Sequence, residues 1–144
     1  EMLAENDEAC QRLMTIPGIG VIISSAVVGA IGNGGAFKQG RDFAAWLGLV
    51  PKQDSTGGKT KLGALSKRGN KYLHTLFVQA AHIVLIRKPA AAQRALWSWI
   101  ERASQRLTHR NLLAIALANK LARIAWAVLA RDHDYHPTAN TDAA

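Results

Sequence analysis

Three hydroxyls sit in a short segment crowded with cations. Ser55 and Thr56 precede Gly57, Gly58 and Lys59, and Ser66 precedes Lys67, Arg68 and Gly69. A hydroxyl attacks phosphorus once a base takes its proton and positive groups hold the charge developing on the phosphoryl oxygens. Lys52, Lys59, Lys61, Lys67, Arg68 and Lys71 supply the positive groups, with Asp54 the one acid among them. These cations repel one another unless a polyanion lies against them. The interspersed glycines let a phosphate approach the backbone. No base is evident within the segment. His74 follows it and reads as a surface or structural group with no catalytic role. Ser and Thr beside glycine also serve as turn formers and phosphate-contacting hydroxyls. Ser55, Ser66 and Thr56 therefore all stay open as nucleophiles, beside a plain solvated loop.

A second group of residues suits phosphate without reading sequence. Leu13, Met14, Thr15, Ile16, Pro17, Gly18, Ile19 and Gly20, followed by Ala26 and Gly29, resemble a DNA-binding helix-hairpin-helix. A Gly-Ile-Gly turn exposes backbone N–H groups at a helix start, where the helix dipole favours an anion. Gly18 and Gly20 leave room for a DNA backbone, and Ile19 packs inward to pin the turn. The alternative is a helical corner that touches no DNA.

Composition agrees with a polyanion partner. The 144 residues carry a formal charge of +8 and a pI near 10.2. Nucleic acid is the first partner such a chain suggests. An apolar fraction of 49% with few aromatics favours closely packed helices. Cys10, the one cysteine, forms no internal disulfide or cysteine-based zinc cluster, in keeping with a reducing cytoplasm. The acidic N-terminus is not a signal peptide, and no apolar run reaches the roughly 20 residues that span a bilayer.

The elements that must position these residues follow from spacing. Helices are expected at about 1–14, 21–31, 37–47, 70–87, from Pro89 to about 106, and 110–129. Pro17 and the glycines at 18 and 20 end the first; Gly32, Asn33, Gly34 and Gly35 end the second. Phe43, Trp46 and Leu47 should face inward, with Gly48 capping the third. Residues 49–71 read as a loop, with or without a short hairpin. The fold class is mainly α: a helix-hairpin-helix at about 10–32, the basic Ser/Gly loop at 49–71, and a helical bundle at 71–130. This makes one domain over 1–131 and a disordered tail over 132–144. The chain opens inside a helical pattern without a start Met and reads as part of a longer protein.

Taken in order, these motifs resemble the C-terminal transposase domain of DEDD-type insertion-sequence transposases, relatives of the Piv-type DNA invertases. The matching residues are 13–20, Phe37, 43–51, Ser55, Thr56, Gly57, Gly58, Lys59, Leu62, Gly63, 66–70, Tyr72 and Leu73. The resemblance implies DNA cleavage and rejoining during transposition, with Ser55 as nucleophile and Ser66, then Thr56, as alternatives. It implies DNA contact through Gly18, Ile19, Gly20, Gly57, Gly58, Lys59, Lys61, Lys67, Arg68 and Lys71. It also implies a RuvC-like upstream domain whose four carboxylates hold a divalent metal, expected to be magnesium. Further expectations are an element-encoded guide RNA, a homo-oligomer of the full-length protein, and a bacterial cytoplasmic, nucleoid-associated setting. The ten acids of this chain form no evident metal cluster, so no cofactor is expected within it. Two other readings compete: a non-catalytic helix-hairpin-helix module, and an assembly domain using Trp97, Trp99 and Trp126.

Overall fold

The computed structural model describes residues 2–49, 67–87 and 94–135; for 2–6, 67–69 and 94 it describes the backbone alone. The described residues are mainly α. They form α1 (Met2–Leu13), α2 (Val21–Ile31), α3 (Gly40–Trp46), α4 (Lys67–Ile86), α5 (Arg94–Arg106) and α6 (Arg110–Arg131).

The bundle is organised around α6, which packs against α4, α3, α1 and α5. Its buried face is rich in alanine (Ala114, Ala118, Ala122 and Ala125), which lets neighbouring helices approach closely. α6 alone among the described helices is long and apolar enough to cross a bilayer, so the expectation of no such stretch needs correcting. Most of that stretch is buried inside the bundle, and Asn119, Lys120 and Arg123 interrupt it. Those are the features of a core helix.

Two side chains and one stretch of backbone on α6 hold the segment before the loop. Asn119, Arg123 and Trp126 recur at helical spacing and face it. The Asn119 amide donates to the Leu49 carbonyl at 3.1 Å, and the Trp126 indole donates to the Gly34 carbonyl at 3.1 Å. Between them, a Cβ on Gly40 would lie 3.1 Å from both the Cα and the carbonyl oxygen of Arg123. This close approach fixes where α3 starts. The expected start at Phe37 is too early, because Phe37 donates to Gly34 in a turn and Gln39 is the extended N-cap. Phe37, Phe43, Trp46 and Phe77 then cluster, with ring centroids 5.4–6.2 Å apart.

Two other expectations change. The tail was expected to fray from Asp132. Instead Asp132 caps α6 in the left-handed conformation and pairs with Arg12 at 2.6 Å. Tyr135 is buried, and its N–H donates to Thr15 Oγ1 at 2.9 Å. Residues 136–144 lie outside the described residues. Helix α4 starts at Lys67, so Lys67, Arg68 and Lys71 belong to a helix and not to the loop. Gly69 and the run of cations, both poor choices for a helix start, concealed that boundary.

Trp126→Phe keeps an aromatic ring but removes the indole donor, leaving the Gly34 carbonyl with the Phe37 N–H alone. A loss of about 1–2 kcal/mol in urea-unfolding stability is expected; an unchanged midpoint would mean that water replaces the indole.

Candidate nucleic-acid interface

The turn between α1 and α2 is built from its apolar spacing. Leu13, Ile16 and Ile19 are buried, and Ile19 faces inward as expected. The Ile19 N–H donates to the Ile16 carbonyl at 3.1 Å, and the Thr15 hydroxyl to the Arg12 carbonyl at 2.6 Å. The two glycines do different work. Gly18 has φ +83°, and a Cβ there would meet Val84 Cγ2 at 2.8 Å and the Ala80 carbonyl at 3.1 Å. Its small size serves packing against α4. Gly20 is the exposed, extended N-cap of α2, with nothing within 4 Å of a Cβ. No side chain caps the helix start, and no acid occupies its first turn.

A shallow groove of about 430 Å³ runs beside this turn, lined by Met14, Pro17, Gly20, Ile83, Val84 and Arg87 among others. Arg87 is exposed and brings a cation to the groove. Val21 and Ile22, in the first turn of α2, are 67% and 68% exposed. The sequence reading missed Arg87 because the residue follows the turn by nearly seventy positions.

The start of the basic segment is held by side chains from two helices. The Asn70 amide donates to the Trp46 carbonyl at 2.9 Å, and His74 Nδ1 bonds the Leu47 carbonyl at 2.8 Å. A carbonyl only accepts, so Nδ1 carries the proton. Asn119 holds Leu49 from the other side. Three carbonyls at the end of α3 are thereby satisfied. Asn70 and His74 lie one turn apart at the start of α4, so the two ends of the intervening segment are tied to each other. His74 has the structural role expected of it; Asn70 stood only within the matching run 66–70, and Asn119 carried no sequence signal beyond its polarity.

Ser55, Thr56, Gly57, Gly58, Lys59, Lys61 and Ser66 lie outside the described residues. Lys67 and Arg68 fall in the first turn of α4, and Lys71 is exposed one turn on. No acid accompanies them in the first turn. Cations at a helix N-terminus oppose the dipole by about 0.3–1 kcal/mol each. Tyr72, 54% exposed, adds an aromatic face beside them.

Comparisons with known proteins add a family context. The sequence pattern described as Transposase IS116/IS110/IS902 family matches residues 10–98. The chain is 48% identical, over 91% of its length, to a probable family 20 transposase of Pseudomonas aeruginosa, of which it covers 38%. It is 49% identical, over 85% of its length, to the transposase for insertion sequence element IS1328 of Yersinia enterocolitica, of which it covers 36%. It is also 28% identical, over 91% of its length, to a pilin gene-inverting protein of Moraxella bovis, of which it covers 40%. The chain thus spans two-fifths or less of these relatives. No solved structure matches it.

The two turn glycines should separate by substitution. Gly18→Ala combines a positive φ with a clash on α4 and should cost about 2–4 kcal/mol in chemical denaturation. Gly20→Ala loses only N-cap preference and should cost about 1 kcal/mol or less. Equal costs would refute this division of roles.

Proposed function

The chain belongs to the IS116/IS110/IS902 transposase family, and on that premise we propose that it is the nucleic-acid-handling C-terminal part of an insertion-sequence transposase. The observation that carries this reading is the start of α4. Its first turns bear Lys67, Arg68 and Lys71 and its first turn holds no acid, directly after a segment whose one acid is Asp54. A phosphate backbone supplies the compensation that the protein itself withholds. The α1–α2 turn provides a second contact of the helix-hairpin-helix kind, where the uncapped start of α2 at Gly20 and the Arg87 cation suit a phosphate oxygen. Gly18 and Ile19 shape this contact from behind.

On this reading Ser55 is the nucleophile, with Ser66 and Thr56 as alternatives. Ser55 Oγ attacks a scissile phosphorus, a serine–phosphate bond forms, and the bond to the departing deoxyribose oxygen breaks. That oxygen takes a proton, and the serine proton passes to a base. Attack by the hydroxyl of another DNA end reverses the step and rejoins the strand. Lys59, Lys61, Lys67, Arg68 and Lys71, with the backbone at Gly57 and Gly58, hold the negative charge. The carboxylates and their divalent metal, expected to be magnesium, belong to the upstream part of the longer protein. A guide RNA and a homo-oligomer are further elements of the proposal.

A non-catalytic helix-hairpin-helix module is the second reading, favoured by the open, uncapped Gly20. Trapping a covalent adduct decides between them. The chain is joined to the upstream part of a relative and supplied with element-end DNA, RNA and magnesium. Ser55→Ala should lower adduct formation at least about 1000-fold, and Ser66→Ala and Thr56→Ala far less. An adduct that persists in Ser55→Ala moves the assignment to another hydroxyl; one that survives all three substitutions refutes serine or threonine attack from this segment.

A further inference from the structure

A pair of arginines on the seam between α3 and α6 has no carboxylate paired with it among the described residues. Gly40 lies against the backbone of Arg123, so Arg41, the next residue of α3, stands near it on the seam. Arg123 is half-buried, and its Nε is shut off from solvent with no hydrogen-bond partner. Burial, and then the neighbouring Arg41, pull its pKa below the ordinary arginine value. Arg41 is exposed; its Nη2 and Nε lie 3.0 and 3.2 Å from the Gln39 side-chain oxygen in the orientation that satisfies both groups. The ion pairs among the described residues are Arg12 with Glu8 and Arg12 with Asp132, and neither Arg41 nor Arg123 joins one. Asp42, the acid of the first turn of α3, is not paired with either. Lys38, exposed, adds a third cation just before α3.

We infer that Arg41 and Arg123 form a phosphate-binding site that extends the contact of the basic segment onto the α3–α6 seam. Arg123 stands one helical turn beyond Asn119, about 6 Å along the axis, and Asn119 holds the Leu49 carbonyl where the basic segment begins. The arginine pair therefore stands close to Leu49, where that segment begins. Two guanidinium forks suit the oxygens of one phosphodiester and make charge-assisted bonds to it. The bound phosphate offsets the repulsion between the two guanidiniums. The inference rests on the nucleic-acid reading given above, and the ligand is the phosphodiester backbone of either DNA or a structured RNA.

The test measures affinity of the 144-residue chain for a 30-base-pair duplex DNA and for an RNA hairpin across a salt series, together with thermal unfolding. Arg41→Gln should weaken binding about 5–10-fold near 0.15 M salt and remove roughly one unit from the slope of log K against log salt. It should also raise Tm, because the repulsion on Arg123 is relieved. Arg41→Glu should raise Tm further by pairing with Arg123 and bind more weakly still. Arg123→Gln should match Arg41→Gln in affinity; because Arg41 is exposed, the Arg41 variants stay decisive if Arg123→Gln misfolds. A loss confined to the duplex assigns the site to DNA, and one confined to the hairpin assigns it to RNA. If the unaltered chain binds but the Arg41 variants keep its affinity and slope, the arginine site is refuted and the wider reading stands. If the unaltered chain binds neither nucleic acid, the wider reading fails and this one with it.

Discussion

Three backbone carbonyls at the end of α3 determine how the rest of the molecule is used. Trp46, Leu47 and Leu49 present them, and Asn70, His74 and Asn119 satisfy them. Each bond contributes about 0.5–1.5 kcal/mol net, and an unmet buried carbonyl would cost more. Their larger effect is positional. Two of the donors lie on the helix that follows the basic segment, so that segment leaves and re-enters the bundle at one place. The described residues on either side of it are thereby held by α4 and by α6, the central helix of the bundle. A group meant to meet a scissile phosphate needs that kind of rigid base.

The same bundle sets the charge pattern. α4 starts with cations where its dipole prefers acids, and α2 starts uncapped. On α6 the half-buried Arg123 keeps an Nε with no hydrogen-bond partner. Each feature costs stability in the isolated chain, and each is relieved by an anion. Their common relief by a phosphate backbone is stronger ground for the functional reading than the net charge of +8, which many basic proteins share.

Much of the fold was legible because apolar spacing is dense. Ile23, Val27 and Ile31 mark α2, and Leu117, Leu121, Ile124 and Val128 mark α6, at unmistakable helical intervals. The inward packing of Ile19 also followed from the turn pattern. What escaped depended on tertiary contact. Nothing local shows that Gly40 must rest on Arg123, which delays the start of α3. Nor does anything local show that Tyr135 returns to Thr15, since the residues around it are polar. Lys67 and Arg68 looked like loop residues because a helix start rarely tolerates such charge without a ligand. Gly18 was assigned room for DNA when the packing of Val84 accounts for it. The hydroxyls Ser55, Thr56 and Ser66 rest on sequence and family, since they lie outside the described residues.

The central claim is that the segment anchored by this clamp is where the chain meets nucleic acid. The most direct measurement is the salt dependence of DNA affinity after reversing Lys59, Lys61, Lys67 and Arg68 to Glu, with Asn70, His74 and Asn119 intact and folding confirmed by circular dichroism. The account predicts that the slope of log K against log salt falls by about 3–4 units and that affinity near physiological salt is lost. An unchanged slope in a folded variant would place the nucleic-acid contact elsewhere and contradict it.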